Sequence, residues 1–325
     1  MGALRCRVGC IQTLASSGSF PTGAGPLGTW QFGGEWGQVT QEAADQMFDR
    51  ARDFGINLVD TAECYGDHVS ERLVGAAVKR DRDKWIIATK FGHHFQGYTD
   101  RTVCYDPDDV RKQLDASLKA LQTDYVDLYQ FHSGGNREYQ TPGLWDMLNE
   151  QVRAGKVRHL GISISPNGNL FQVDHATEVN ARAIQVEYNR LDRKPEQGVF
   201  RSVFQSCRRQ DLGVLARVPL ASGLLTGKYK PGTTFSEGDV RFRQGPRRIA
   251  QRLRLREVQH IAETEVPEHA DMAQWALAWC LRQDAVTCVI PGCRDVGQVA
   301  SNAAAAEFAR SDHPQIRPAG SRVPR

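Results

Sequence analysis

Short runs rich in apolar and β-branched residues alternate along this chain with longer stretches in which apolar side chains recur at helical spacing. The short runs fall at 27–33, 57–60, 85–89, 126–131, 157–163, 183–187, 213–217 and 286–290. Helical spacing marks 40–54, 69–80, 108–121, 143–154, 196–209, 268–281 and 294–308. Thr40 stands where an N-cap is wanted, and Asp106-Pro107-Asp108 leads into the third helix. Gly55, Gly155 and Gly213 sit where helix stops are expected. Eight such strands separated by helices predict an α/β fold, a parallel (β/α)8 TIM barrel, in preference to an open sheet.

The alternation breaks in two places. Residues 1–26 are rich in Gly, Ser and Pro and are expected to be poorly ordered. The barrel domain is then expected over 27–310, followed by a tail at 311–325. After the seventh run comes an insertion, 229–260, first polar and irregular, then basic, with Arg241, Arg243, Arg247, Arg248, Arg252, Arg254 and Arg256. It reads either as an anion-binding flap or as a solvated helix face, and the solvated face is the expectation. Pro26 is a poor strand residue, so the first strand is expected to enter the barrel badly and to leave a sheet edge open if closure fails.

Composition narrows the function. Of 325 residues, 40% are apolar and 24% charged, with a net charge of +3, which is too mild to argue for a nucleic-acid partner. No apolar run is long enough for a membrane span. Eight cysteines occur without any C-x-x-C pair, the N-terminus is a poor signal peptide, and no Asn-x-Ser/Thr acceptor is present, so reduced cytoplasmic thiols are expected. Gly23-Ala-Gly-Pro-Leu-Gly28 matches G-x-G-x-x-G, but no strand precedes it, no helix follows, and Pro26 removes a backbone N–H, so a Rossmann reading fails.

The candidate chemistry lies at strand ends. Asp60 ends the second run, with Tyr65 in the loop that follows; Lys90 ends the third and His132 the fourth. In a barrel these ends share one rim. Carbonyl reduction needs a proton delivered to oxygen; a free tyrosine titrates near ~10, and an adjacent lysine ammonium is expected to lower that value. Asp60 would hold Lys90, and His132 would polarise the substrate oxygen. Singly, each residue is ordinary; together at successive ends of one rim they are not.

These residues carry a resemblance. Gly-Thr-Trp30, Asp60-Thr-Ala-x-x-Tyr65-Gly, Ala-Thr-Lys90, Asp-Leu-Tyr-Gln-Phe-His132 and Pro219-Leu-Ala-Ser-Gly-Leu-Leu-Thr-Gly-Lys228 make the chain resemble the aldo-keto reductase family from about Gly28 to about Ala305. The resemblance implies an NADPH-dependent oxidoreductase that reduces an aldehyde or ketone, with Asp60, Tyr65, Lys90 and His132 as the catalytic set and Tyr65 as the general acid. It implies that Thr29, Trp30, Asp60, Ser163, Gln185, Arg217, Pro219, Leu220, Ser222, Gly223 and Lys228 line the cofactor. After the eighth run, Gly292, Arg294, Gln298 and Asn302 complete that set. Arg294, Gln298 and Asn302 are spaced four apart and are expected on one face of the last helix, at an anion-favouring N-terminus. Arg294 is assigned to the 2′-phosphate, which argues for NADP over NAD.

Two departures affect the cofactor. Ser163 is followed by Ile164 where the family often has Asn, which removes a hydrogen bond worth roughly 1 kcal/mol. Arg217 stands where an aromatic residue usually stacks on the nicotinamide. Two other functions compete: a non-catalytic NADPH-binding relative, and a metal-assisted hydrolase using His93, His94 and His132. No carboxylate is obviously paired with those histidines, and adjacent strand residues face opposite ways, so no metal is expected. Trp30, Trp36, His93, Phe95 and the 229–260 insertion are expected to shape the mouth for a small carbonyl substrate. The sequence leaves self-association open.

Overall fold

The computed structural model describes residues 25–97, 100–237, 239–242 and 245–309. The expected disorder of residues 1–26 and the expected tail fall almost wholly outside that range. Eight parallel strands form the barrel: Leu27–Gly28, Leu58–Asp60, Ile86–Phe91, Val126–His132, Val157–Ser163, Ala181–Glu187, Gly213–Arg217 and Cys288–Ile290. Each hydrogen-bonds to the next in chain order.

Alternation along these strands builds two inward layers. Ala88, Leu128, Ala183, Leu215 and Ile290 form a small apolar cluster within the barrel. Two residues further along their strands stand Lys90, Gln130, Gln185 and Arg217, and a period of two puts them on the same side as that cluster. The intervening residues, among them Ile87, Tyr129, Ile184, Val214 and Val289, belong to the larger core between strands and helices. The apolar layer thus lies beneath a polar one, and the polar layer faces the rim.

The first strand is only two residues long because Pro26 precedes it and the chain then turns. The expected strand over 27–33 stops at Gly28; Trp30–Gly33 is a 3-10 helix ending on Gly34 at φ 93. Closure nevertheless occurs. Gly28 pairs with Asp60, forms a parallel bridge to Gly292, and donates its N–H to Pro291 O at 3.0 Å. A Cβ on Gly28 would come 2.9 Å from that carbonyl oxygen, so the seam needs glycine. The open edge expected from Pro26 is absent.

Helix starts follow the sequence signals. Thr40 accepts from Ala43 N–H, and Asp106 accepts from the N–H groups of Asp108 and Asp109 ahead of Pro107–Leu121. Gly55 and Gly155 adopt left-handed geometry after their helices, but Gly213 does not mark a stop. It opens the seventh barrel strand, and Asp211 at φ 54 makes the turn instead. The expected helix at 196–209 is shorter, Val203–Arg209, with a capping box between Ser202 and Gln205.

Two elements at the rim lay outside the strand–helix pattern. An antiparallel hairpin, His93–Gly97 with Asp100–Val103, follows the third barrel strand. The insertion after the seventh strand ends in a long helix, Gly245–Thr264, which buries Leu255, Val258 and Ile261. No described helix is long and apolar enough to cross a membrane.

Candidate active site

Backbone contact fixes the loop that carries Tyr65. A methyl group on Gly66 would overlap the Gly33 carbonyl, and one on Gly33 would come 2.7 Å from the Tyr65 carbonyl carbon. The 3-10 turn and the loop after the second strand therefore meet without side chains between them.

The structure brings Asp60, Tyr65 and Lys90 into direct contact. Lys90 Nζ donates to Asp60 Oδ1 at 2.7 Å and to Thr61 O at 2.6 Å, and lies 3.2 Å from Tyr65 Oη. Lys90 is fully buried and Asp60 nearly so. The second carboxylate oxygen of Asp60 accepts from Gln185 Nε2 at 2.7 Å and from Gln130 Nε2 at 3.2 Å. Side chains from three other strands thus hold one carboxylate. Burial opposes charge on Lys90, but Asp60, then Tyr65, outweigh it and hold the ammonium above the ordinary lysine range.

The effect on Tyr65 runs opposite to the sequence expectation. Burial is the largest influence, Lys90 pulls the other way, and the phenol is pushed up to about 12. The ammonium tempers the rise but does not reverse it. A phenol backed by an ammonium and a carboxylate can pass a proton to an oxygen placed beside it.

His132 meets Tyr65 edge-on, with ring centroids 6.4 Å apart, and stacks on His93 at 4.3 Å. Burial, followed by the charges of Lys90, Arg101 and Arg217, holds His132 well below the usual histidine range, so it is neutral near pH 7. The expectation that no carboxylate accompanies these histidines is corrected. Glu63 Oε1 lies 3.8 Å from His132 Nδ1 and accepts the His93 backbone N–H at 3.0 Å.

The candidate cofactor residues divide into several groups. Ser163 and Gln185 adjoin, Ser163 Oγ lying 3.5 Å from Gln185 Oε1, while the Gln185 amide nitrogen is engaged by Asp60 and Gln130. Ile164, after Ser163, is buried in the core. Thr29 is buried, its hydroxyl donating to Asp60 O and accepting from Ser70. Arg217 pairs with Glu187 at 3.6 Å. The loop from Pro219 and Leu220 to Ser222 and Gly223 takes left-handed geometry at Val218, Ala221, Ser222 and Gly223. Lys228 is exposed beyond it.

Trp30 and Ser222 share a cavity of about 410 Å³ with Arg241, Arg247 and Arg254. The described part of the basic insertion is largely the expected solvated face, with Arg247, Arg248, Arg252, Arg254 and Arg256 exposed, while Arg241, paired with Asp239 at 2.6 Å, folds over Gly223 and lies against the rings of Trp36, Tyr229 and Phe235. Arg243 lies outside the described residues.

The last helix is Val296–Ala309, so Arg294 precedes it instead of lying on its face. Arg294 N–H donates to Gln298 Oε1 at 3.1 Å, and its guanidinium rests against Gly37. Gln298 is also tied to Asp295, which caps this helix, and Asn302 Nδ2 lies 3.5 Å from Gly292 O. Sequence reasoning missed Gln130, Glu63 and Cys64. Gln130 was legible in principle, two residues before His132 on the same strand face.

A barrel whose polar rim joins a carboxylate, an ammonium, a phenol and an imidazole beside a basic cleft defines a class of oxidoreductase, and comparison with known proteins agrees. A family model described as Aldo/keto reductase family matches residues 26–318. Aldo-keto reductase yakc of Schizosaccharomyces pombe, whose name carries NADP(+), is 30% identical over 285 residues, 85% of this chain and 82% of its own. Among solved structures, aldo-keto reductase AKR11C1 from Bacillus halodurans in its holo form superposes with a TM-score of 0.72 at 28% identity, covering 87% of this chain and 86% of that one. Glycerol dehydrogenase AKR11B4 from Gluconobacter oxydans gives 0.70 at 28% identity, covering 92% and 94%. The chain belongs to the aldo/keto reductase family.

Proposed function

We propose that this protein reduces an aldehyde or ketone to an alcohol with NADPH, and that Tyr65 is the general acid. The contact of Lys90 Nζ with both Asp60 and Tyr65 Oη supports this reading most directly. NADPH, when bound, supplies the hydride. Tyr65 would donate its phenol proton to the carbonyl oxygen, and the charged Lys90 would stabilise the phenolate left behind. His132, neutral and at the same rim, would hydrogen-bond that oxygen and orient it.

The cleft suits such a cofactor on its own chemistry. Arg247 and Arg254 bring positive charge over a loop whose backbone turns left-handed at Ser222 and Gly223, beside Arg241, which is paired with Asp239. Gln31 Oε1 and Arg217 Nε are buried without a hydrogen-bond partner among the described residues. Arg294 would take the 2′-phosphate, with Gln298 and Asn302 beside it. Ser163, Gln185 and Arg217 would face the nicotinamide, and Thr29, Trp30, Pro219, Leu220, Lys228 and Gly292 would complete the walls. The rings of Trp30 and Trp36, 5.5 Å apart, and His93 suit an apolar carbonyl compound. The six described cysteines are unbridged, which supports a cytoplasmic setting.

The deciding experiment measures a carbonyl panel with NADPH and NADH side by side. The parent should favour NADPH. Arg294→Met should raise its KM by about 10–100-fold, the worth of a charge-assisted hydrogen bond of roughly 1.5–3 kcal/mol, and leave KM for NADH nearly unchanged. An unchanged preference would remove Arg294 from the 2′-phosphate.

Arg217 gives a second expectation. A cation beside the ring disfavours the positively charged oxidised nicotinamide, and Glu187 at 3.6 Å offsets part of that effect. Fluorescence titration should show NADPH binding several-fold tighter than NADP+, with a smaller gap in Arg217→Tyr. Equal affinities in the parent would contradict the idea.

A further inference from the structure

We propose that Glu63, Cys64, His93 and His132 form a binding site for a zinc-class divalent cation at the mouth of the barrel. The donor atoms of these four residues all lie within 4.8 Å of one another. They come from three elements: the loop after the second barrel strand, the hairpin after the third, and the end of the fourth. Cys64 Sγ lies 3.9 Å from His93 Nδ1 and 3.9 Å from His132 Nδ1. Tetrahedral zinc, with bonds of about 2.0–2.3 Å to N, O and S, needs donor separations of roughly 3.3–3.5 Å. The cluster would contract by about half an ångström to just over one, and the stacked rings of His93 and His132, 22° apart, would tilt to aim both Nδ1 atoms at one ion.

A further observation points to a cation. Glu63 is 4% exposed, and its Oε2 is buried without a hydrogen-bond partner among the described residues, a cost that an ion would remove. Metal binding would release the Cys64 thiol proton to water, leaving a thiolate and a carboxylate against a dication. The nearby Arg101 is paired with Glu35 at 2.7 Å.

A second cluster serves as a contrast. His94, Cys104 and Asp109 also approach one another, but Asp109 Oδ2 already accepts from Gln113 at 2.6 Å and lies 2.8 Å from His94 Nε2. Its carboxylate is occupied, and that of Glu63 is only partly so.

Because His132 belongs to both groups, metal loading would couple to carbonyl reduction. That consequence rests on the reductase reading; binding itself does not. The test therefore uses the full chain, stripped with chelator and titrated with Co2+ in the absence of nicotinamide and carbonyl. One equivalent should produce a thiolate-to-cobalt charge-transfer band in the near ultraviolet and strong four-coordinate bands in the visible, both displaced by Zn2+. Cys64→Ser should lose the charge-transfer band, and Cys104→Ser should keep it. Should Cys64→Ser fail to fold, His93→Ala carries the test and should weaken cobalt binding. A weak six-coordinate spectrum, a band lost with Cys104→Ser in place of Cys64→Ser, or unchanged affinity in His93→Ala would overturn the proposal.

Discussion

Replacing Tyr65 with phenylalanine is expected to lower carbonyl turnover by about 10²–10⁴-fold, the usual worth of a positioned general acid, with little change in the affinity for NADPH. Phenylalanine keeps the ring that lies edge-on to His132 and removes only the oxygen 3.2 Å from Lys90 Nζ. Substrate and cofactor binding should therefore survive while chemistry fails. The pH profile of the parent supplies an independent check. Burial first, against the opposing pull of Lys90, puts the phenol at about 12. The donor is the protonated form, present below that value and lost only as pH rises through it. Steady-state kcat/KM for reduction should thus be flat over roughly pH 6–9. A variant retaining a tenth or more of the parent rate, or an alkaline limb near neutrality, would exclude Tyr65 as the acid. Absence of turnover in the parent would instead favour a non-catalytic NADPH-binding protein.

Asp60→Asn is expected to cost stability as well as activity, by about 3–5 kcal/mol. Every contact of this carboxylate is with a donor: Lys90 on Oδ1, Gln185 and Gln130 on Oδ2. An asparagine must turn its NH2 group toward one side or the other, setting donor against donor in a buried place. If it faces Lys90, an ammonium with no exposed surface loses its counterion. Thermal melts should fall by about 6–15 °C. The sign of the pH dependence follows from Lys90. Its pKa is raised in the fold, so the associated stability is complete below the free value of 10.5 and disappears only as pH climbs through the folded one. The deficit of Asp60→Asn should then be constant across neutral pH. Tyr65→Phe should melt near the parent. A variant Asp60→Asn that melts within a degree or two of the parent would show that the carboxylate network contributes little.

The strand runs were legible because a barrel strand must alternate between a filled interior and a helix-covered exterior, and Ala88-Thr-Lys90 and Leu128-Tyr-Gln-Phe-His132 show that alternation directly. The hairpin at 93–103 was not legible. It rests on the rim with one face to solvent, so its residues carry no apolar period. The helix over 245–264 left only a thin signal, Leu255, Val258 and Ile261 among many arginines. Asp60, Lys90 and His132 at strand ends, and Tyr65 in the loop after the second strand, were singled out by residue type and position. Gln130 and Glu63 did not, because an amide or a carboxylate gains meaning only from what lies across the barrel. The direction of the Tyr65 shift was missed for the same reason: a sequence shows the neighbouring lysine but not the dry space around the phenol.

The hairpin that follows the third strand has a wider consequence. It pairs only with itself, yet it sets His93 and Arg101 above the rim. On the proposed reading the barrel rim would move the proton, while this appendage lies outside the strand ladder of the cylinder and reaches the site through His93, which stacks on His132. Selection of the guest molecule would then be partly separable from the reaction performed on it.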